Sequence, residues 1–310
     1  MTAVSSPVKA ETSSTVLSGM GYALLAMTLW GVQDALTKFL VSAYPISQFL
    51  LVRFVVFAAF AVVYAAMRGG LRAALDSRVL GLQLVRAGLL IIDIMLFCLA
   101  LRFMNLGDLH AVYAATPLMI TLLVGPMLGE TVGWRRRTAV AVGFLGALVI
   151  IRPGLGVMNW ASFIVIGAGF FFALYSIATR KVGGRDSVET STLYTAVVGT
   201  AILAPFGIAQ WQPVDANGAM LMAGISVTGL LGHLFYIQAL ARAPAVVIQP
   251  LTYLLLVWAV FYGFVLFHAL PDAWTLVGAV IVVGSGLYVT WREWVLGRAK
   301  APVASLPALS

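Results

Sequence analysis

A chain of 310 residues that is 62% hydrophobic and only 10% charged, with a mean hydropathy of +1.01, lies far from a water-soluble domain, where about half and about a quarter are usual. That composition excludes a soluble enzyme, a disulfide scaffold and a disordered protein, and the single cysteine, Cys98, sits inside an apolar run as a small buried hydrophobe. The net charge of +8 belongs mostly to the breaks between apolar runs, so it reads as a membrane-topology signal and not as a nucleic-acid surface.

Residues 1–16, small and polar, predict a disordered tail, and the apolar run that follows is longer than a signal-peptide core and is retained. Ten spans follow, near 17–41, 46–67, 79–103, 108–128, 136–152, 159–180, 190–210, 217–240, 245–268 and 274–292, with a polar tail at 293–310. Each is long enough for a hydrocarbon core of about 30 Å, and the alternation of a membrane β-barrel is absent, so the fold expected is an all-α integral membrane protein.

An ionisable or polar group facing lipid is costly, so the polar residues inside spans mark faces turned toward a cavity or a partner. On the first span Trp30, Gln33, Asp34, Thr37 and Lys38 share one helix face, a wall for a substrate path; Asp34 and Lys38, four apart, are expected to pair. Arg53 in the second span can snorkel, pair with an acid or hold a carboxylate. The third span carries Arg86 and, near mid-membrane, Asp93, which can bind an ammonium group, carry a proton or make a structural hydrogen bond. His110, Tyr113, Pro117 and Thr121 share a face of the fourth span, where Pro117 predicts a kink and freed carbonyls. Tyr175 in the sixth span corresponds to Trp30, and the two aromatics could stack, hold a cation or simply fill the core; the eighth offers Ser226, Gly229, His233 and Tyr236, and the ninth Gln249, Pro250 and Tyr253. The substrate-binding candidates are therefore Trp30, Gln33, Asp93, His110, Tyr113, Tyr175, His233, Tyr236 and Tyr253, and the coupling or gating candidates Asp34, Lys38, Asp93, Pro117 and Pro250. Gly125, Gly129, Gly133, Gly143, Gly146, Gly278, Gly284 and Gly286 are read as sites of close helix approach.

Most of the 19 basic residues, among them Arg68, Arg72, Arg78, Arg135, Arg136, Arg137, Arg180, Lys181 and Arg185, fall on one side of this arrangement, against only Lys38, Arg102 and Arg152 on the other. The positive-inside rule then places both termini in the cytoplasm and the protein in the cytoplasmic membrane. Ala100-Leu101 aligns with Ala239-Leu240, Trp134 with Trp274 and Gly146 with Gly286. Five spans per half is an odd number, so 17–152 and 159–292 are expected to be inverted repeats around a central site, the design of secondary transporters.

The stretches ALLAMTLWGVQDALTKFL, LALRFMNLGDLHAVYAATPLMITLLVGPMLGETVGWRRRTAVAVGFLGALVIIRPG and ALARAPAVVIQPLTYLLLVWAVFYGFVLFHALPDAWTLVGAVIVVGSGLYV resemble the drug/metabolite transporter superfamily, specifically its EamA-type exporters, over almost the whole chain. Pro117 after an Ala-Leu pair, LLVGPMLGE ending at Glu130 and the glycine-bearing last helix of each half carry the likeness; His268, Ala269 and Leu270 stand where a second glutamate would be expected. The resemblance implies ten helices, a central cavity and export of small metabolites, most similar to bacterial exporters of amino acids, aromatic ones included. A nucleotide-sugar or phosphate-ester carrier, a lipid-modifying membrane enzyme and a channel remain the rivals. No metal-ligand cluster and no phosphate-binding loop is present, so neither a metal, a cofactor nor ATP-driven pumping is expected. The partners expected are a small-molecule substrate, the bilayer and a proton as candidate coupling ion; the sequence leaves monomer against homodimer open.

Overall fold

The computed structural model describes residues 13–129, 133–152, 160–183, 185–243 and 245–300. Glu130 and the outer parts of both predicted tails lie outside the described residues. Helices α1 (Ser13–Ala43) and α2 (Ile46–Arg68) are joined at Pro45, which cannot continue a helical ladder. Gly69 and Gly70 then turn the chain, Gly70 at φ +92°, into the short surface helix α3 (Leu71–Leu75). The first half continues with α4 (Leu80–Phe103), α5 (Leu106–Tyr113), α6 (Thr116–Leu128) and α7 (Trp134–Ile151). The second runs through α8 (Ala161–Val182), α9 (Val188–Ala209), α10 (Ala216–Leu240), α11 (Ala245–Ile248), a 3-10 turn at Gln249–Tyr253, α12 (Leu254–Phe267) and α13 (Ala273–Lys300). The helices at both chain ends outrun their predicted limits: α1 begins before residue 17, and α13 continues to Lys300 through part of the expected tail.

Among the described residues nine helical stretches, Leu106–Leu128 and Pro250–Phe267 included, are long and apolar enough to cross a membrane. The remaining predicted span, the fifth, falls on α7, 18 residues long, whose first turn holds Arg135, Arg136 and Arg137 and whose body packs along α13. The fourth predicted span is two helices. Pro117 has no N–H to give the carbonyl of Tyr113 four residues earlier, and the hydroxyl of Thr116 donates to that carbonyl instead, at 2.6 Å. The break thus lies at Ala114–Ala115, upstream of the proline. Pro250, near the start of the 3-10 turn between α11 and α12, interrupts the corresponding helix of the second half.

Helix packing repeats the inversion. The α1–α10 contact has its counterpart in α8–α4, and α1–α12 in α8–α6, while α2 packs on its own counterpart α9 and α7 on α13. Small residues permit the last contact: a Cβ on Gly278 would lie 2.6 Å from the carbonyl oxygen of Gly146, and one on Gly146 would lie 2.9 Å from that of Gly278. Gly143 and Gly286 are likewise covered, but Gly129, Gly133 and Gly284 face open space and are not packing sites, contrary to expectation.

Polar contacts tie the halves together at both ends. At the end bearing α3, Asp186, after α8, accepts from Ser77 Oγ at 2.5 Å, Arg78 N–H at 2.9 Å and Gln83 Nε2 at 2.9 Å. At the other end Tyr44 donates to Asp215 at 2.7 Å, and Gln48 both donates to Gln212 O at 2.8 Å and accepts from its N–H at 3.1 Å. Arg152 pairs there with Asp272.

Candidate functional site

The polar face of α1 meets α2, α4, α5 and α10 in the middle of the bundle. Its residues do not pair as their spacing suggests. Lys38 does not bind Asp34: its Nζ donates to the carbonyls of Leu101 and Met104, at 2.6 and 2.7 Å, where the end of α4 leaves acceptors without helical donors. Asp34 reaches across to α5 instead, with Oδ2 3.0 Å from His110 Nε2. Thr37 turns back to Gln33 O at 2.7 Å, within its own helix.

Asp93, 4% exposed on α4, accepts a hydrogen bond from the Tyr113 hydroxyl at 3.0 Å. Phe97, one turn further along α4, stands edge-on to both His110 and Tyr113, with ring centroids 5.5 and 5.3 Å away. Phe97 was missed as a site residue, although it lies four residues from Asp93 on the same helix face. Arg86 is not part of this cluster. Its Nη2 donates to Ser191 O at 2.6 Å and Thr195 Oγ1 at 2.7 Å on α9, its Nε donates to Gln83 Oε1 at 3.1 Å, and its guanidinium lies 5.6 Å from the Tyr175 ring centroid.

The expected Trp30–Tyr175 stack does not form. Trp30 packs on Tyr236 with centroids 5.3 Å apart, whereas Tyr175 sits against Phe172 at 5.7 Å. Positions that correspond in two inverted copies are related across the axis and need not touch. Space for Trp30 and Gln33 comes from α10: a Cβ on Gly232 would lie 2.5 Å from Trp30 Nε1, and one on Gly229 2.5 Å from Gln33 Oε1 and 3.3 Å from Arg53 Nε. His233 lies edge-on to Phe57 at 5.7 Å. Tyr253 turns away from the centre, its buried hydroxyl lying against Gly286 of α13 without a hydrogen-bond partner.

Two groups at the centre are unsatisfied. Gln33, 7% exposed, has a buried Oε1 without a donor, and the half-buried Arg53 beside it makes no side-chain hydrogen bond among the described residues, the Asp34 carboxylate acting on it only through space. A guanidinium carries five N–H donors in a planar fork, and leaving it unpaired inside a membrane protein is costly. Trp258 on α12, stacked on Tyr262 at 5.6 Å, also keeps a buried Nε1 without an acceptor. Among the described residues no group of His, Cys, Asp and Glu side chains could hold a metal ion.

A ring-lined polar centre held between two inverted helical halves defines a membrane transporter. The chain belongs to the EamA-like transporter family, whose profile matches it twice, at residues 17–152 and 159–291. It is similar to a riboflavin transporter of Vibrio cholerae, 30% identical over 76% of this chain and 80% of the relative. An S-adenosylmethionine uptake transporter of Rickettsia conorii is 25% identical over 90% of this chain and 94% of its own. The pseudopaline exporter CntI of Pseudomonas aeruginosa is 25% identical over 86% and 93% respectively. A crystal structure with a TM-score of 0.63 and 18% identity, spanning 92% of this chain and 99% of the solved one, shares the fold.

Proposed function

We propose that this protein is a secondary transporter that moves small organic metabolites with a planar ring and a polar head across the cytoplasmic membrane by alternating access, both termini being cytoplasmic. Aromatic and other neutral amino acids fall within that class, and so do the riboflavin and S-adenosylmethionine for which relatives are named. Export is the direction proposed for the cell. The observation that carries the reading is the Arg53 guanidinium, without a hydrogen bond among the described residues, beside the unpartnered Gln33 Oε1 and next to the Trp30–Tyr236 ring pair. An anionic or carbonyl group on the substrate would take the guanidinium, an adjacent N–H would take the amide oxygen, and the ring would lie against the aromatics. Asp93, which among the described residues accepts a hydrogen bond from Tyr113 only, is the residue assigned to a coupled proton.

The test is uptake into proteoliposomes of tryptophan, riboflavin, S-adenosylmethionine and a sugar nucleotide, with and without a pH gradient. Saturable uptake with counterflow that Arg53→Gln abolishes, at unchanged thermal stability, supports the reading. Flux without saturation would make the protein a channel, and uptake of the sugar nucleotide alone would make it a phosphate-ester carrier. An Asp93→Asn protein that keeps the full response to the gradient would remove the proton from the mechanism.

A further inference from the structure

The α7–α13 pair has a feature that transport through the centre does not use. The two helices touch at Gly146 and Gly278, and Ser285 of α13 lies beside Gly143 of α7. Toward the end of the bundle where α7 begins, a groove of about 540 Å³ runs along the outer side of the pair, with walls that include Trp134, Arg135 and Val142 from α7 and Val280, Gly284 and Tyr288 from α13. A Cβ added at Gly284 would meet nothing within 4 Å, so the groove has an open floor there. Trp134 is 69% exposed, Val280 72% and Val142 49%, on the outer side of the bundle that a bilayer would cover.

We propose that this groove binds an anionic phospholipid of the cytoplasmic leaflet, an inference that rests on reading the chain as membrane-spanning with its arginine-rich end in the cytoplasm. The chemistry changes along the groove as it does along a lipid. At its mouth Arg135, exposed, lies 5.7 Å from the Trp134 ring centroid and has no carboxylate partner among the described residues, so it is available to a phosphate. The neighbouring Arg136 is turned inward and donates to Thr121 on α6, so the arginine triplet is divided between the bundle and the groove. Trp134 and Tyr288 stand at the same level, where amphipathic rings favour the headgroup boundary. One helical face further in, Val142 and Val280 offer only apolar surface, roughly 10 Å along α7 from Arg135, enough for part of an acyl chain. On α13 the face carrying Ser285 and Tyr288 continues by helical spacing to Arg292, a second cation toward the same end.

Full-length protein in a neutral detergent, titrated with phosphatidylglycerol or phosphatidylcholine and followed by native mass spectrometry and thermal unfolding, tests this without any transport assay. Phosphatidylglycerol should give a retained adduct and raise the unfolding temperature, while phosphatidylcholine should do neither. Arg135→Gln should weaken the phosphatidylglycerol titration roughly fivefold, whereas Arg72→Gln, a cation at the same end on α3, should not. Gly284→Leu, which fills the groove, should abolish the adduct. Equal binding of both lipids, or equal behaviour of the Arg135 and Arg72 variants, would overturn the proposal even if Gly284→Leu fails to fold. Cross-linking of Gly284→Cys to a second copy in liposomes would overturn it too, by assigning the groove to a dimer. A failure here leaves the central transport site untouched, because none of these residues lines it.

Discussion

His110 on α5 and Asp34 on α1 meet at 3.0 Å, joining two helices of the first half at the level where the fourth predicted span breaks. A hydrogen bond to a carboxylate contributes about 1.5–3 kcal/mol, and more is lost when one partner stays buried alone. His110→Ala should therefore lower thermal stability markedly. Asp34→Asn, which keeps an acceptor, should cost less. A double-mutant cycle measured by unfolding should return a clear coupling energy for this pair, and additive losses would disconnect the two residues.

Lys38 acts on backbone, with Nζ closing on Leu101 O and Met104 O. Lys38→Met keeps the stem but leaves the end of α4 without its donor, and is expected to destabilise by about 1–3 kcal/mol. Substrate affinity, read by ligand-induced stabilisation, should stay near that of the wild type. A selective loss of affinity instead would return Lys38 to the substrate path.

The Tyr253–Gly286 contact makes a sharp steric prediction. A Cβ at residue 286 would fall 1.6 Å from the Tyr253 hydroxyl oxygen, while residue 284, two positions earlier and on the other side of the helix, has room to spare. Gly286→Ala should cost about 1–3 kcal/mol of stability through forced repacking, and Gly284→Ala nothing measurable. Adding Tyr253→Phe to Gly286→Ala should recover part of the loss in a thermal-shift measurement.

Asp186 gives a pH prediction outside the spans. Partial desolvation pushes its carboxyl upward, but hydrogen bonds from Ser77, Gln83 and the Arg78 N–H outweigh that and hold it below the ordinary aspartate value. A group whose folded value is depressed stabilises above its unfolded value of about 3.9 and loses that contribution as pH falls through the folded one. Unfolding temperature should thus drop below about pH 4, and Asp186→Asn should flatten that part of the profile. Identical profiles for both proteins would show that the collected donors carry no net stabilisation.

The helices were legible because a bilayer leaves few options: each apolar run of sufficient length becomes a helix, as its backbone groups have no other partners. The face carrying Trp30, Gln33 and Asp34 was legible for the same reason, since residues three and four apart must share a side. Partners across helices were not. Spacing suggested Asp34 for Lys38, but unpaired carbonyls at the end of α4 lie within its reach, and nothing in the sequence of α1 announces a neighbouring helix end. Arg86 went to α9 because Ser191 and Thr195, more than a hundred positions away, supply two acceptors on one turn. Pro117 did announce the broken helix, although the break moved upstream, since a proline removes the donor owed to the residue four earlier.

Two inverted copies packed as α1 on α10 and α4 on α8 place any inward-open arrangement and its outward-open mirror on nearly the same footing. If the halves were identical, the two would be isoenergetic. The balance is then set where the copies differ, and among those places are the two ends: Asp186 gathering donors at one, against Tyr44–Asp215, the reciprocal Gln48–Gln212 clasp and Arg152–Asp272 at the other. On the alternating-access reading proposed for this fold, the protein is a reversible see-saw, and the hydrogen bonds at its two ends are the weights that set which side hangs lower.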